Sequence, residues 1–176
     1  RSPEEQEDDV TLVSVRRTTS AAANASTFES GETQMEELDS FSVPSEDGNE
    51  RSVIDQVVES VAGLGLPEDK VQRLATAVSE AAMNAIEHGN RRRAELPVDV
   101  EVLASPTAVT VRITDHGGGR EIPEPETPDL EAKLAGEQSP RGWGLFLIEH
   151  MVDELRTTSD ENHHTVELVM NLEEEK

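Results

Sequence analysis

The chain has 176 residues, no cysteine, and 38 acidic against 15 basic side chains, a formal net charge of −23. That length suits one ordinary domain with its own core, and the lack of Cys excludes disulfides and thiolate metal sites. The charge opposes contact with nucleic acid or an anionic membrane, and no apolar run spans a bilayer or forms a signal-peptide core, so a cytoplasmic protein whose partners carry basic patches is expected.

Residues 1–33 are acidic and rich in Ser, Thr and Ala. They read as a flexible tail or linker, with little weight on a strand near Val10 to Val15. Met35 to Val43 reads as an edge strand ended by Pro44. Asn49 or Asp47 then caps a helix carrying Val53, Ile54, Val57, Val58 and Val61, which Gly63 and Gly65 close. A second helix opens at Pro67 and stops at Gly89. Around Val78, an apolar stripe of Val71, Leu74, Ala75, Ala81, Ala82, Ala85 and Ile86 faces the core. Arg73, Ala77, Glu80, Asn84 and Glu87 point the other way, toward water or a ligand.

Arg91, Arg92 and Arg93 form the one basic cluster. They either keep the helix end soluble or contact a partner or phosphate. Val98, Val100 and Val102, then Val109, Val111 and Ile113, alternate with polar residues as two strands joined by a hairpin over 103–108. The stretch 117–140 holds four of the nine prolines and no apolar period, as a functional lid or an unstructured loop would. A third helix is expected from Gly144 to Val152. Strands over 154–158 and 165–172 follow, with His163 and His164 in the turn between them. The order β-α-α-β-β-α-β-β predicts an α+β two-layer sandwich, a mostly antiparallel mixed sheet with helices on one face. The domain then spans 34–172, and 173–176 is a short acidic tail.

Three motifs carry chemistry. In EAAMNAIEHG, Glu80 and Asn84 lie one turn apart and supply a general base and a neutral oxygen ligand for Mg²⁺, or else a plain solvated helix face. In Asp115-His116-Gly117-Gly118-Gly119 the carboxylate at a strand end can accept from an exocyclic amine, while glycines let backbone approach a flat ring. In Arg141-Gly142-Trp143-Gly144-Leu145, glycines at a helix start expose N–H groups suited to phosphate. Each alone is open to a purely structural reading, and no Lys-Ser/Thr P-loop accompanies the third.

In this order the three resemble the nucleotide-binding boxes of the Bergerat-fold ATPases, which include gyrase, Hsp90, histidine kinases and MutL. EAAMNAIEHGN and RGWGLFLIEHMVDEL are most similar to the anti-sigma-factor serine kinases that control sporulation and general stress. That resemblance implies ATP as substrate, Mg²⁺ on Asn84 and Glu80 as the base. It places Asp115 on adenine with Gly117 and Gly119 beside it, Gly142 and Gly144 on the phosphates, and Arg141 as a further phosphate contact. It makes 120–140 an ATP lid. It also implies a homodimer that holds a sigma factor and phosphorylates a small anti-anti-sigma (STAS-type) partner. His116 departs from the small polar or acidic residue usual there and is expected to face solvent. The other histidines, His88, His150, His163 and His164, are expected to be structural or exposed. Two alternatives remain: a histidine-kinase catalytic domain from a longer chain, although no His precedes His88, and a nucleotide-binding module without catalysis.

Overall fold

The structure, a computed structural model, describes residues 35–118, 129 and 143–172 in full, and 11–16 and 140–142 by their backbone. Strands β1 (Thr11–Arg16), β2 (Glu36–Pro44), β3 (Pro97–Ala104), β4 (Ala108–Asp115), β5 (Glu154–Ser159) and β6 (His164–Asn171) form one sheet in the order β1-β5-β6-β4-β3-β2. Every pairing among the described residues is antiparallel. Helices α1 (Asn49–Val61), α2 (Glu68–Asn84) and α3 (Pro140–Met151) accompany it. The expected α+β two-layer architecture is what the chain adopts.

Alternation decides which face of the sheet is covered. Val98, Val100 and Val102 of β3, Val109, Val111 and Ile113 of β4, and Val166, Leu168 and Met170 of β6 all join one core cluster. Val53, Val57 and Val61 of α1 complete it, with Leu74, Val78, Ala81 and Ala82 of α2 and Leu145 and Ile148 of α3. Burying each Val or Leu side chain stabilises by roughly 1.5–3 kcal/mol, so this shared face holds the layers together. On the opposite face Glu101, Arg112, Glu167 and Arg156 stand side by side across β3, β4, β6 and β5. Their contacts are 3.6 Å for Arg112–Glu101, 2.7 Å for Arg112–Glu167 and 2.6 Å for Arg156–Glu167. Such half-exposed pairs stabilise by about 0–1 kcal/mol each. Their value is register, because a one-residue slip would turn these charges onto the core face and set them opposite valines.

Several local expectations are corrected. Residues 11–16, read within a tail, pair with β5 from end to end. The cap of α1 is Gly48, at a left-handed φ of 96° that glycine adopts freely, and not the expected Asp47 or Asn49, because the helix begins at Asn49; Glu50 Oε2 accepts from the Gly48 N–H at 2.8 Å. Helix α2 does not end cleanly at Gly89. Its last turn, Ala85–Gly89, widens into a π-helix, closed by Asn90 N–H donating to Ala85 O at 2.8 Å. Helix α3 starts at Pro140, four residues before expectation, with proline in the first turn where its missing N–H costs nothing.

Candidate functional site

The far side of α2 is only partly open to water, and its middle is covered. Helix α3 packs on it, and Ala77 and Asn84, both assigned to the polar back, are buried. Glycine makes this approach possible. A β-carbon at Gly144 would lie 2.9 Å from Asn84 Nδ2 and 3.3 Å from Glu80 Oε2, so any larger residue would push α3 off the two polar groups. Gly144 thus sits in the second turn of α3, against Asn84, rather than at the exposed helix start.

Two electrostatic consequences follow at this end of the site. Asn84 Nδ2 is buried with no hydrogen-bond partner among the described residues, a cost of about 1–3 kcal/mol if nothing else meets it. Amide oxygen and nitrogen are interchangeable by a flip, so the group has one free end to offer, oxygen to a cation or N–H to an anion. Glu80 is half-buried, and that burial, followed by repulsion from Glu87, pushes its carboxyl above the ordinary glutamate range. A carboxylate of raised proton affinity in a partly enclosed place is suited to accept a proton.

The second end is built at the exit of β4. Asp115 is buried, and its Oδ1 accepts from Gly117 N–H at 3.0 Å and meets His164 Nδ1 at 3.1 Å. Both contacts use Oδ1, which leaves Oδ2 to a ligand. Two glycines fit around this carboxylate with no room to spare. A β-carbon on Gly89 would overlap Asp115, with Oδ1 only 2.6 Å away, and one on Gly117 would collide with the Gly89 carbonyl. The end of α2 and the turn after β4 are therefore in direct contact, and glycine is a steric requirement at both positions.

Two expectations about histidines change here, and a neighbouring asparagine joins them. His116 is half-buried rather than free in solvent: its Nε2 lies 2.6 Å from Asp99 Oδ2, and its ring meets His163 edge-on at 4.8 Å. Burial of Asp99 opposes its ionisation, but the Ser42 hydroxyl and His116 outweigh that and hold its carboxyl below the usual range. His164 is not in the turn; it opens β6, opposite Asp115, and is buried. Asn90 was not singled out at all. It is fully buried, accepts from His116 N–H at 2.7 Å, and donates to Ser45 Oγ, Leu96 O and Pro97 O. An amide directly after a helix-ending glycine was the available signal, but only the fold reveals what it reaches.

Of the basic cluster, Arg92 is tied to Asp47 at 2.7 Å and to Glu87, and Arg93 Nε donates to Asn90 O at 3.1 Å. These two close the loop after α2. Gly119 and the candidate lid 120–140, apart from Asp129 and Pro140, lie outside the described residues. So do the side-chain surroundings of Arg141 and Gly142, whose backbone is in the first turn of α3. The structure thus brings Glu80, Asn84 and Gly144 together at one end, and Asp115 and Gly117 at the other, with the π-turn joining them.

The histidine kinase-like ATPase domain family matches over residues 43–170. The anti-sigma F factor of Anoxybacillus flavithermus is 35% identical over 66% of this chain and 80% of its own. That of Clostridium botulinum strain Eklund 17B is 33% identical over 60% of this chain and 73% of its own. Among solved structures, the RsbU and RsbW domains of Rv1364c from Mycobacterium tuberculosis superpose with a TM-score of 0.56 at 20% identity. That match covers 78% of this chain and 33% of that one, and it speaks to the fold. With its glycine-lined junction between helix and strand end, the chain belongs to the histidine kinase-like ATPase domain family, on the branch that includes the anti-sigma F factors.

Proposed function

We propose that this domain is an ATP-dependent protein serine/threonine kinase that also acts as an anti-sigma factor. The observation that carries the kinase reading is Glu80, a carboxylate of raised proton affinity placed beside Asn84 and Gly144. In this reading Glu80 takes the proton from a serine or threonine hydroxyl. The hydroxyl oxygen forms a bond to the γ-phosphorus as the bond to the bridging oxygen breaks, and ADP leaves with that electron pair. Asp115 Oδ2 accepts from the adenine amine, with Gly117 and Gly119 shaping that wall. Gly142 faces the phosphates, Gly144 lets α3 close on Asn84 and Glu80, and Arg141 offsets the phosphate charge. Mg²⁺, where bound, would neutralise phosphate charge, and the free end of the Asn84 amide is the neutral donor that fits it.

The regulatory half of the proposal follows from the relatives, which are named anti-sigma F factors. The acceptor is a small STAS-type anti-anti-sigma protein, and a homodimer of this chain holds the sigma factor until that acceptor displaces it. Net charge of −23 favours partner surfaces with basic patches. The test is transfer of radiolabelled γ-phosphate from ATP to STAS-type proteins of the same organism. The expected product survives acid and is lost in hot alkali, as a phosphoserine is. An acid-labile label on this chain would instead support a histidine-kinase domain. Nucleotide binding without any transfer would leave a regulatory module.

A further inference from the structure

Asn90 is buried completely, yet its side-chain amide is fully engaged, and the partners come from three other segments. Its Nδ2 donates to Ser45 Oγ at 2.9 Å, Leu96 O at 3.2 Å and Pro97 O at 2.8 Å. Three acceptors on one end fix the amide's orientation, so its Oδ1 is committed to the His116 N–H at 2.7 Å. That N–H belongs to the peptide immediately after Asp115. The chain also reaches Asn90 through an unusual path. The π-turn Ala85–Gly89 inserts an extra residue into the last turn of α2, and the Asn90 N–H closes it on Ala85 O. The same turn seats Gly89 against the Asp115 carboxylate and its carbonyl against Gly117.

We infer that Asn90 is a positioning residue for the nucleobase, locking the Asp115–Gly117 turn to the helix that carries Glu80 and Asn84. This rests on the ATP-site reading above and goes beyond it. Asn90 touches no ligand; it acts through the His116 peptide on the direction of the Asp115 carboxylate. A merely structural asparagine would weaken all ligands alike when removed, because the folded fraction falls equally for each. A positioning asparagine weakens recognition of the base and leaves recognition of the phosphate chain in place.

The test therefore compares ligands on one folded protein. Binding of ATP, GTP and Mg²⁺-tripolyphosphate to the full chain is measured by calorimetry for wild type, Asn90→Ala and Ser45→Ala. Ser45→Ala removes one acceptor from Asn90 and leaves the His116 link in place, so it controls for lost stability. Wild type and Ser45→Ala should prefer ATP over GTP to the same degree. In Asn90→Ala that preference should fall about tenfold, with tripolyphosphate affinity unchanged. If Asn90→Ala does not fold, Asn90→Ser serves, since its hydroxyl is too short to reach the His116 N–H while filling part of the space. An undiminished ATP preference in the Asn90 variants, or an equal loss for all three ligands, overturns the inference and leaves the ATP-site reading intact. A wild type with no preference for ATP overturns that reading and the inference with it.

Discussion

The two ends of the site are built to opposite rules. At the exit of β4, Asp115 has two partners on one oxygen, the following peptide is held by Asn90, and Gly89 and Gly117 fit without space for a methyl group. On α2, the Asn84 amide is buried with an end that meets nothing among the described residues, and Glu80 is held at raised proton affinity. One end is fixed in place before any ligand arrives, with Asp115 Oδ2 alone left over; the other is left incomplete. A base is flat and rigid, so a rigid receptor loses little on binding it. A transferring phosphate changes its charge distribution during reaction, and groups with unused capacity can respond to it.

The steepest break should come from the packed end. Gly117→Ala puts a β-carbon into the Gly89 carbonyl, and overpacking of that kind costs about 1–3 kcal/mol or more. Nucleotide binding measured by calorimetry should be lost, with a lowered melting temperature. Wild-type affinity in that variant would show that the turn is looser than its geometry states.

The incomplete end should fail differently. Glu80→Gln should keep the fold and ATP affinity while cutting phosphoryl transfer by about 10²-fold or more, as loss of a positioned base does. Single-turnover transfer at saturating ATP reads this directly, and a wild-type rate would remove Glu80 from the role of base. Asp115→Asn, back at the packed end, should weaken ATP by about 1.5–3 kcal/mol through loss of a charged acceptor. Calorimetry should show that loss for ATP and leave Mg²⁺-tripolyphosphate binding unchanged.

A pH series sharpens the comparison with the smallest effect. Glu80 must be ionised to act as a base, so transfer should rise with pH through a midpoint above the ordinary glutamate range. Burial is the larger cause of that shift and Glu87 the second. Glu87→Gln should move the acid limb of the rate profile to lower pH without returning it to the ordinary value. The stability linkage has the matching sign. A carboxyl raised in the fold favours the folded state below its unfolded pKa, and that contribution is lost as pH rises through the folded one. A profile unmoved in Glu87→Gln would mean the two carboxylates do not sense each other.

How much of this was legible follows the range of the interactions. Strands β3 and β4 were readable because Val98, Val100 and Val102, and then Val109, Val111 and Ile113, alternate in sequence as they do in the core. The three motifs were readable because Glu80 and Asn84 are one turn apart and the glycines are adjacent. What escaped depends on partners far along the chain. Asn84 is buried because α3, some sixty positions on, covers it, and a helical wheel has no knowledge of a neighbouring helix. His116 was misplaced because its partner Asp99 sits one strand away. Thr11–Arg16 escaped because its partner strand is β5, near the other end of the chain.

The widened turn at Ala85–Gly89 makes the motif a ruler. A helix advances by about 100° per residue, and this turn already takes up one extra residue, so inserting a further residue between Asn84 and Asn90 would swing everything after it by about that angle. Gly89 would leave the Asp115 carboxylate, a bulkier neighbour would take its place, and the Asn90 amide would no longer meet the His116 peptide. Single-residue insertions here should therefore be far more harmful than most single substitutions on the same stretch, because what the turn encodes is a distance along the chain as much as a set of side chains.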